Sequence, residues 1–242
     1  MRVPDFFRRQ FTCVPEDVRP QWGGQREGAG RKPGLGRRNV AHRVRPAHRP
    51  DYPVLVTLRS HCRSMRTQFV FPTLRGAIAA ANAAGGDHFR VCEFSVQGNH
   101  LHLLVEAESE EHLTRGIQGL AARIAKRVNR LLFQRGRFFV DRHHRMPLTT
   151  PRAVRNALVY VLANFRKHGP WRRGTLDLYS SAPYFLGFSE YNCLSPCSQE
   201  PNLIPRALAP PAALPVARAK TWLLCVGWKE FGLISLLDRP KT

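Results

Sequence analysis

Two histidines one residue apart, His100 and His102, stand in the mostly apolar stretch SVQGNHLHLLVEA, residues 95–107. In an extended strand alternate side chains project from one face, so two imidazoles at this spacing can share one divalent cation. They can equally be two half-buried side chains that hydrogen-bond independently. The alternation sends His100, His102 and Leu104 one way and the aliphatic set Leu101, Leu103 and Val105 the other. A chemically competent metal site needs further ligands. Helical spacing over residues 152–167 gathers Val154, Leu158, Val161, Leu162 and Phe165 into one apolar arc. Tyr160 and Asn164 fall on the far side with Asn156 and Lys167, with the phenol one turn from the amide. A phenol can act as a nucleophile when a nearby cation or base lowers the cost of ionising it. The competing role for Tyr160 is to cover part of a sheet.

Other chemistries that use paired histidines are excluded by neighbouring residues. A histidine-triad nucleotide hydrolase needs a third histidine where this chain has Leu104, and a two-histidine phosphoesterase needs repeated His-x-Ser/Thr pairs. No Gly-rich phosphate loop ending in Lys-Ser/Thr is present, nor a carboxylate cluster of the two-metal nuclease kind. Cys193 and Cys197 lack a second ligand pair, which argues against zinc there.

The charge balance names the class of partner. Lys and Arg total 38 against 17 Asp and Glu, a formal net charge of +21. The excess is mostly arginine, which forks onto phosphates, so nucleic acid is the expected partner. Six scattered cysteines, no leader-like segment and no long apolar run fit a reduced cytoplasmic protein that does not enter a membrane.

Several elements must position these residues. Residues 1–50, with 12 Lys and Arg against four Asp and Glu, are too poor in apolar residues to build a core and read as a basic flexible arm. The stretch GGQREGAGRKPGLGRR is similar to a minor-groove hook but lacks the Gly-Arg-Pro centre, which favours non-specific phosphate binding. PVLVTLRS reads as a strand, and TLRGAIAAANAAG as a helix ending at Gly85-Gly86. HFRVCEFSVQ and HLHLLVEA form a hairpin through Gly98-Asn99. An amphipathic helix spans about residues 109–132, with Leu113, Ile117, Leu120, Ile124, Val128 and Leu131 at steps of three and four. RFFVDRHHRMPL reads as a strand. Thr150-Pro151 opens a helix to about Lys167. The order β, α, β, β, α, β, α predicts an α+β fold, an antiparallel sheet with helices packed on it. From about Trp171 a Pro-rich segment and KTWLLCVGWKEFGLI, read as a short helix, form an extension of unknown role.

Gly98-Asn99-His100-Leu101-His102-Leu103-Leu104-Val105, followed by a helix carrying Tyr160 and Asn164, resembles the single-tyrosine HUH transposases, above all the REP-associated (IS200-like) tyrosine transposases and their domesticated bacterial relatives. The likeness covers roughly residues 50–170 and includes the element order. It implies a ferredoxin-like, RRM-like core, residues 51–170 as the catalytic domain, and residues 171–242 as a C-terminal extension. It further implies that His100 and His102 bind Mg²⁺ or Mn²⁺, with Asn164 at the third ligand position and Tyr160 as nucleophile. Relatives commonly follow the tyrosine with HLNP, where this chain has LANF.

The activity so implied is cleavage and joining of single-stranded or hairpin DNA through a 5′-phosphotyrosine. Arg115, Arg123, Lys126, Arg127, Arg130, Arg135, Arg137, Arg142, His143, His144, Arg145 and Lys167 are the residues expected to bind DNA phosphates. Phe138 and Phe139 are candidates for base stacking or for the core. Relatives occur as homodimers or monomers, and a nucleoid-associated location would follow from DNA binding. The alternative reading is a non-catalytic, domesticated protein that recognises repeat or hairpin DNA; an RNA-binding module would instead prefer RNA.

Overall fold

In a computed structural model the described residues are 47–62, 64–167, 174–192 and 214–240, all within the compact unit Val40–Thr242. The hook-like stretch of the arm, Cys193 and Cys197, and most of the Pro-rich segment lie outside them.

Four strands form one antiparallel sheet in the order β2-β3-β1-β4, from β1 (Val54–Arg59), β2 (Phe89–Val96), β3 (His100–Ala107) and β4 (His144–Pro147). Helices α1 (Phe71–Gly85) and α2 (Glu110–Leu131) cover one face. The expected α+β architecture and element order are those observed. Period-2 alternation in β3 drives the layering: Leu101, Leu103 and Val105 enter a core with Leu74 and Ile78 of α1 and Leu113, Ile117, Leu120 and Ile124 of α2. Ser109 caps α2 by accepting from the His112 N–H at 3.1 Å. At the end of α1, Gly86 takes φ +52°, the left-handed region that glycine enters without cost.

The opposite face carries a second core. Leu104 of β3 and Cys92 of β2 meet Val154, Leu158 and Leu162 of α3 (Pro151–Ala163), and the chain end covers them. That end contains α5 (Trp222–Cys225) and a 3₁₀ turn Gly227–Phe231, following the short α4 (Ser189–Asn192). Its Leu223, Leu224, Trp228, Ile234 and Leu236 are all buried. The terminal piece is thus helical as expected, in two short turns. Thr150 caps α3 by accepting from the Ala153 N–H at 3.2 Å, and Pro151 occupies the first turn.

Buried polar groups tie the chain end to the sheet. Glu106, fully buried on the same face of β3 as Leu104, accepts from Arg90 Nη2 at 2.9 Å, the Lys220 N–H at 2.8 Å, and the Thr221 N–H and hydroxyl at 3.0 and 2.7 Å. The Ser181 hydroxyl donates at 2.5 Å to Glu93 of β2, whose carboxyl burial pushes up to about 8 against the lesser, lowering effect of that hydrogen bond.

The strand expected over residues 137–148 is shorter, only His144–Pro147. Phe138 and Phe139 are both buried in the α1/α2 core, their rings 4.9 Å apart and perpendicular. Adjacent residues of a strand point to opposite faces, so two consecutive rings in one core require the chain to bend. These phenylalanines are core residues, not exposed base-stacking platforms. Cys62, Cys92 and Cys225 are free thiols. No helix among the described residues is long and apolar enough to cross a membrane.

Candidate functional site

The sheet register lines up one polar row. Ser95 of β2 pairs with His102 of β3, His102 with Thr57 of β1, and Thr57 with His144 of β4. Directly paired residues share a face, so all four project toward the α3 side. His100 stands two residues along β3, its ring centroid 6.2 Å from that of His102 and the rings parallel within 1°. His102 is buried and His100 half-buried.

Helix α3 brings its polar residues to this row. Tyr160 lies edge-on to His102, ring centroids 5.0 Å apart, and its phenolic oxygen is 3.4 Å from Nε2. The helical pattern put Tyr160 and Asn164 on the solvent side with Asn156 and Lys167; Tyr160 is instead half-buried, and Asn164 is only 2% exposed. The cause is that both face the polar row of the sheet, on a helix that is covered on other sides as well. Sheet on one side and chain end on the other also bury Ala157, Val159 and Ala163, so only a narrow strip, including Asn156, meets solvent. The α-helix stops at Ala163 and tightens into a 3₁₀ turn, Asn164–Lys167. Lys167 Nζ then sits 5.1 Å from the centre of the Tyr160 ring.

These side chains line a cleft of about 940 Å³ that joins His100, His102, Tyr160, Asn164 and Lys167. Three further lining residues carry no signal in the sequence: Thr57, Arg66 and Gln97. Arg66 donates to the Asp177 carboxylate at 2.7 and 3.0 Å and to the Val96 carbonyl at 2.9 Å. Asp177 itself is buried, so the guanidinium is fixed in place as a charged wall of the cleft.

The donors suit a divalent metal. Thr57 Oγ1 is 3.0 Å from Nδ1 of His102. The tautomer that donates Nδ1–H to Thr57 leaves the Nε2 lone pair facing the Tyr160 hydroxyl, the arrangement that orients metal-binding imidazoles. His100 would supply the second nitrogen and Asn164 an amide oxygen from across the cleft, a mixed N/O set compatible with Mn²⁺ and, less readily, Mg²⁺.

Of the expected phosphate-binding residues, only His144 and Lys167 reach this cleft. Arg115, Arg123, Lys126, Arg127 and Arg130 project from α2 on the other side of the sheet, where Lys126, Arg127 and Arg130 border a groove of about 460 Å³ against α1. Arg115 pairs with Glu111 at 2.9 Å. Arg137, Arg142 and Arg145 line a separate cleft of about 620 Å³, and Arg145 pairs with Glu110 at 2.6 Å. The pairing Val56↔Arg145 puts Arg145 on the α2 side, because Val56 enters the α1/α2 core.

No family model matches the chain, and no curated protein does. Among solved structures it is similar to a REP-associated tyrosine transposase bound to a REP hairpin, with 14% identity, 59% of this chain and 82% of that one covered, and a TM-score of 0.48. It is also similar to a candidate transposase from Deinococcus radiodurans R1, with 11% identity, 47% and 87% covered, and a TM-score of 0.35.

Proposed function

We propose that this chain is a metal-dependent, transposase-like endonuclease and strand transferase that acts on single-stranded or hairpin DNA through Tyr160. The observation that carries the reading is the 3.4 Å approach of the Tyr160 hydroxyl to His102 Nε2, beside a second imidazole parallel to the first. A nucleophile placed against paired metal-type donors, in a cleft walled by Arg66 and Lys167, is a constellation for phosphodiester chemistry. In this reading residues 51–170 carry the chemistry, residues 1–50 form a basic arm and residues 171–242 an extension.

The Tyr160 oxygen attacks the scissile phosphorus, and the P–O3′ bond breaks. The strand leaves as a 3′-hydroxyl, having gained one proton for the one the phenol lost, and the 5′ end stays on the enzyme as phosphotyrosine. Attack by another 3′-hydroxyl reverses the step, so no energy source is consumed. Mg²⁺ or Mn²⁺ held by His100, His102 and Asn164 would supply Lewis-acid polarisation of the phosphate. Thr57 fixes the ring of His102, α3 fixes the phenol, and Lys167 and Arg66 offset phosphate charge. The α2 arginines and the Arg137/Arg142/Arg145 cleft, lying across the sheet, would hold DNA away from the reacting centre.

The test is covalent capture of labelled hairpin and single-stranded DNA with Mn²⁺. Wild-type protein forms a denaturation-resistant adduct, and Tyr160→Phe forms none. An adduct with Tyr160→Phe overturns the role of Tyr160. No adduct across a broad substrate set, with DNA still bound, identifies the non-catalytic DNA-binding protein instead.

A further inference from the structure

Outside the cleft, the sheet register brings together a second set of metal-type donors. His88 ends the turn between α1 and β2, Glu108 follows β3, and His112 stands in the first turn of α2. Phe89 pairs with Ala107, and the Glu108 N–H donates to the His88 carbonyl at 3.1 Å, so the backbone itself sets His88 beside Glu108. His88 Nδ1 lies 2.6 Å from Glu108 Oε2, and the His88 and His112 rings stack with centroids 4.7 Å apart. Ser109 Oγ holds His112 Nδ1 at 3.1 Å and thereby orients that ring. One ligand atom from each of the three lies within 4.8 Å of the others; no other group of His, Cys, Asp or Glu among the described residues meets this condition.

We infer that His88, Glu108 and His112 form a binding site for Zn²⁺ or a transition dication of similar chemistry. Two imidazoles and one carboxylate, with solvent for the remaining positions, suit zinc and not a hard oxygen-seeking cation. A tetrahedral ion with bonds near 2.0–2.2 Å keeps its donors roughly 3.3 Å apart. The His88–Glu108 pair must therefore open slightly and the widest pair close by at most about 1.5 Å. His88 and Glu108 are well exposed, 61% and 49%, and are free to shift toward the half-buried His112. The N-terminal end of α2 opposes a cation, but Glu110 and Glu111 in its first turn offset that dipole. The bound ion joins the turn before β2 to the β3–α2 junction 20 residues further on, where Glu108 and His112 are four residues apart, and acts as a clip between that turn and the start of α2. This site shares no residue with the Tyr160 cleft and stands whether or not the chain cleaves DNA.

The full-length His100→Ala/His102→Ala variant provides the background, so that the cleft does not contribute to the reading. Zn²⁺ titration by calorimetry, repeated with Co²⁺ absorption, is compared between this background and the same chain with His112→Ala or Glu108→Gln added. Near-ultraviolet circular dichroism without metal verifies that each variant is folded. The expected result is loss of one bound ion, or affinity for it lowered at least about 10-fold, together with loss of the Zn²⁺-induced rise in Tm. Equal stoichiometry, affinity and Tm response in the background and the triad variants overturns the inference.

Discussion

Thr57 Oγ1 holds Nδ1 of His102 at 3.0 Å, from the strand directly beside it. This hydrogen bond decides which nitrogen of His102 is presented to Tyr160. Thr57→Val keeps the β-branched shape and removes the hydroxyl. Metal affinity and adduct formation should fall about 10- to 100-fold, while Tm shifts by only a few degrees. Calorimetric metal titration and covalent capture on the same preparation measure both quantities.

The basic residues divide by face, and their variants should divide by kinetic effect. Arg127→Ala with Arg130→Ala should weaken DNA binding and flatten its salt dependence by about 0.7–0.9 in slope for each phosphate no longer neutralised. Their single-turnover rate at saturating DNA should not change. Lys167→Ala, beside the Tyr160 ring, should lower that saturated rate. Fluorescence binding over a salt series and quenched single-turnover assays separate the two.

Glu93 predicts a pH dependence of stability. Burial raises its carboxyl to about 8 in the folded chain, from an ordinary value of 4.5. Between these values the folded state binds more protons than the unfolded state, so stability declines as pH rises through this window. The contribution is fully present below pH 4.5 and lost above about 8. Glu93→Gln should remove this slope, which amounts to a few kcal/mol. Urea unfolding of both proteins at several pH values gives the comparison.

Gly116 of α2 faces the ring of Phe89, and a Cβ added there meets the ring carbons well inside van der Waals distance. Phe89 is buried at the start of β2 and has little room to yield. Gly116→Ala should cost about 1–3 kcal/mol despite its better helix propensity. Recovery of stability by a smaller residue at Phe89 would identify the clash as the cause.

Much of the scaffold was legible in the sequence, because local rules govern it. Alternation in HLHLLVEA assigned His100 and His102 to the face opposite Leu101 and Leu103, and Thr150-Pro151 marked the start of the helix that carries Tyr160. Thr57 and Arg66 were not legible. They reach the cleft through strand register and through Asp177, which are long-range pairings that no window of sequence contains. The burial of Asn164 was misplaced for the same reason. A helical wheel counts apolar positions but does not know that the polar row of the sheet faces Tyr160 and Asn164, while residues beyond 214 pack on other positions of the helix. The strand at β4 was drawn too long because Phe138-Phe139 has the composition of a strand, while both rings belong to one core.

Glu106 is four residues from His102, on the same face of the same strand, and its buried carboxylate holds Arg90 together with the backbone at Lys220 and Thr221. Glu106→Gln should cost about 3–5 kcal/mol, since it leaves the Arg90 charge buried without its partner. Equilibrium unfolding in urea measures the loss.

Arg155 of α3 reaches the carbonyls of Gly232 and Leu233 and the carboxylate of Asp238, and Arg166, just past Asn164, reaches the Asp238 carbonyl at 2.5 Å. The helix that presents Tyr160 is therefore gripped by residues translated after everything it presents. A nonsense codon near position 214 would spare every side chain of the cleft and still undo it, giving a late truncation the phenotype of a lesion at the tyrosine itself.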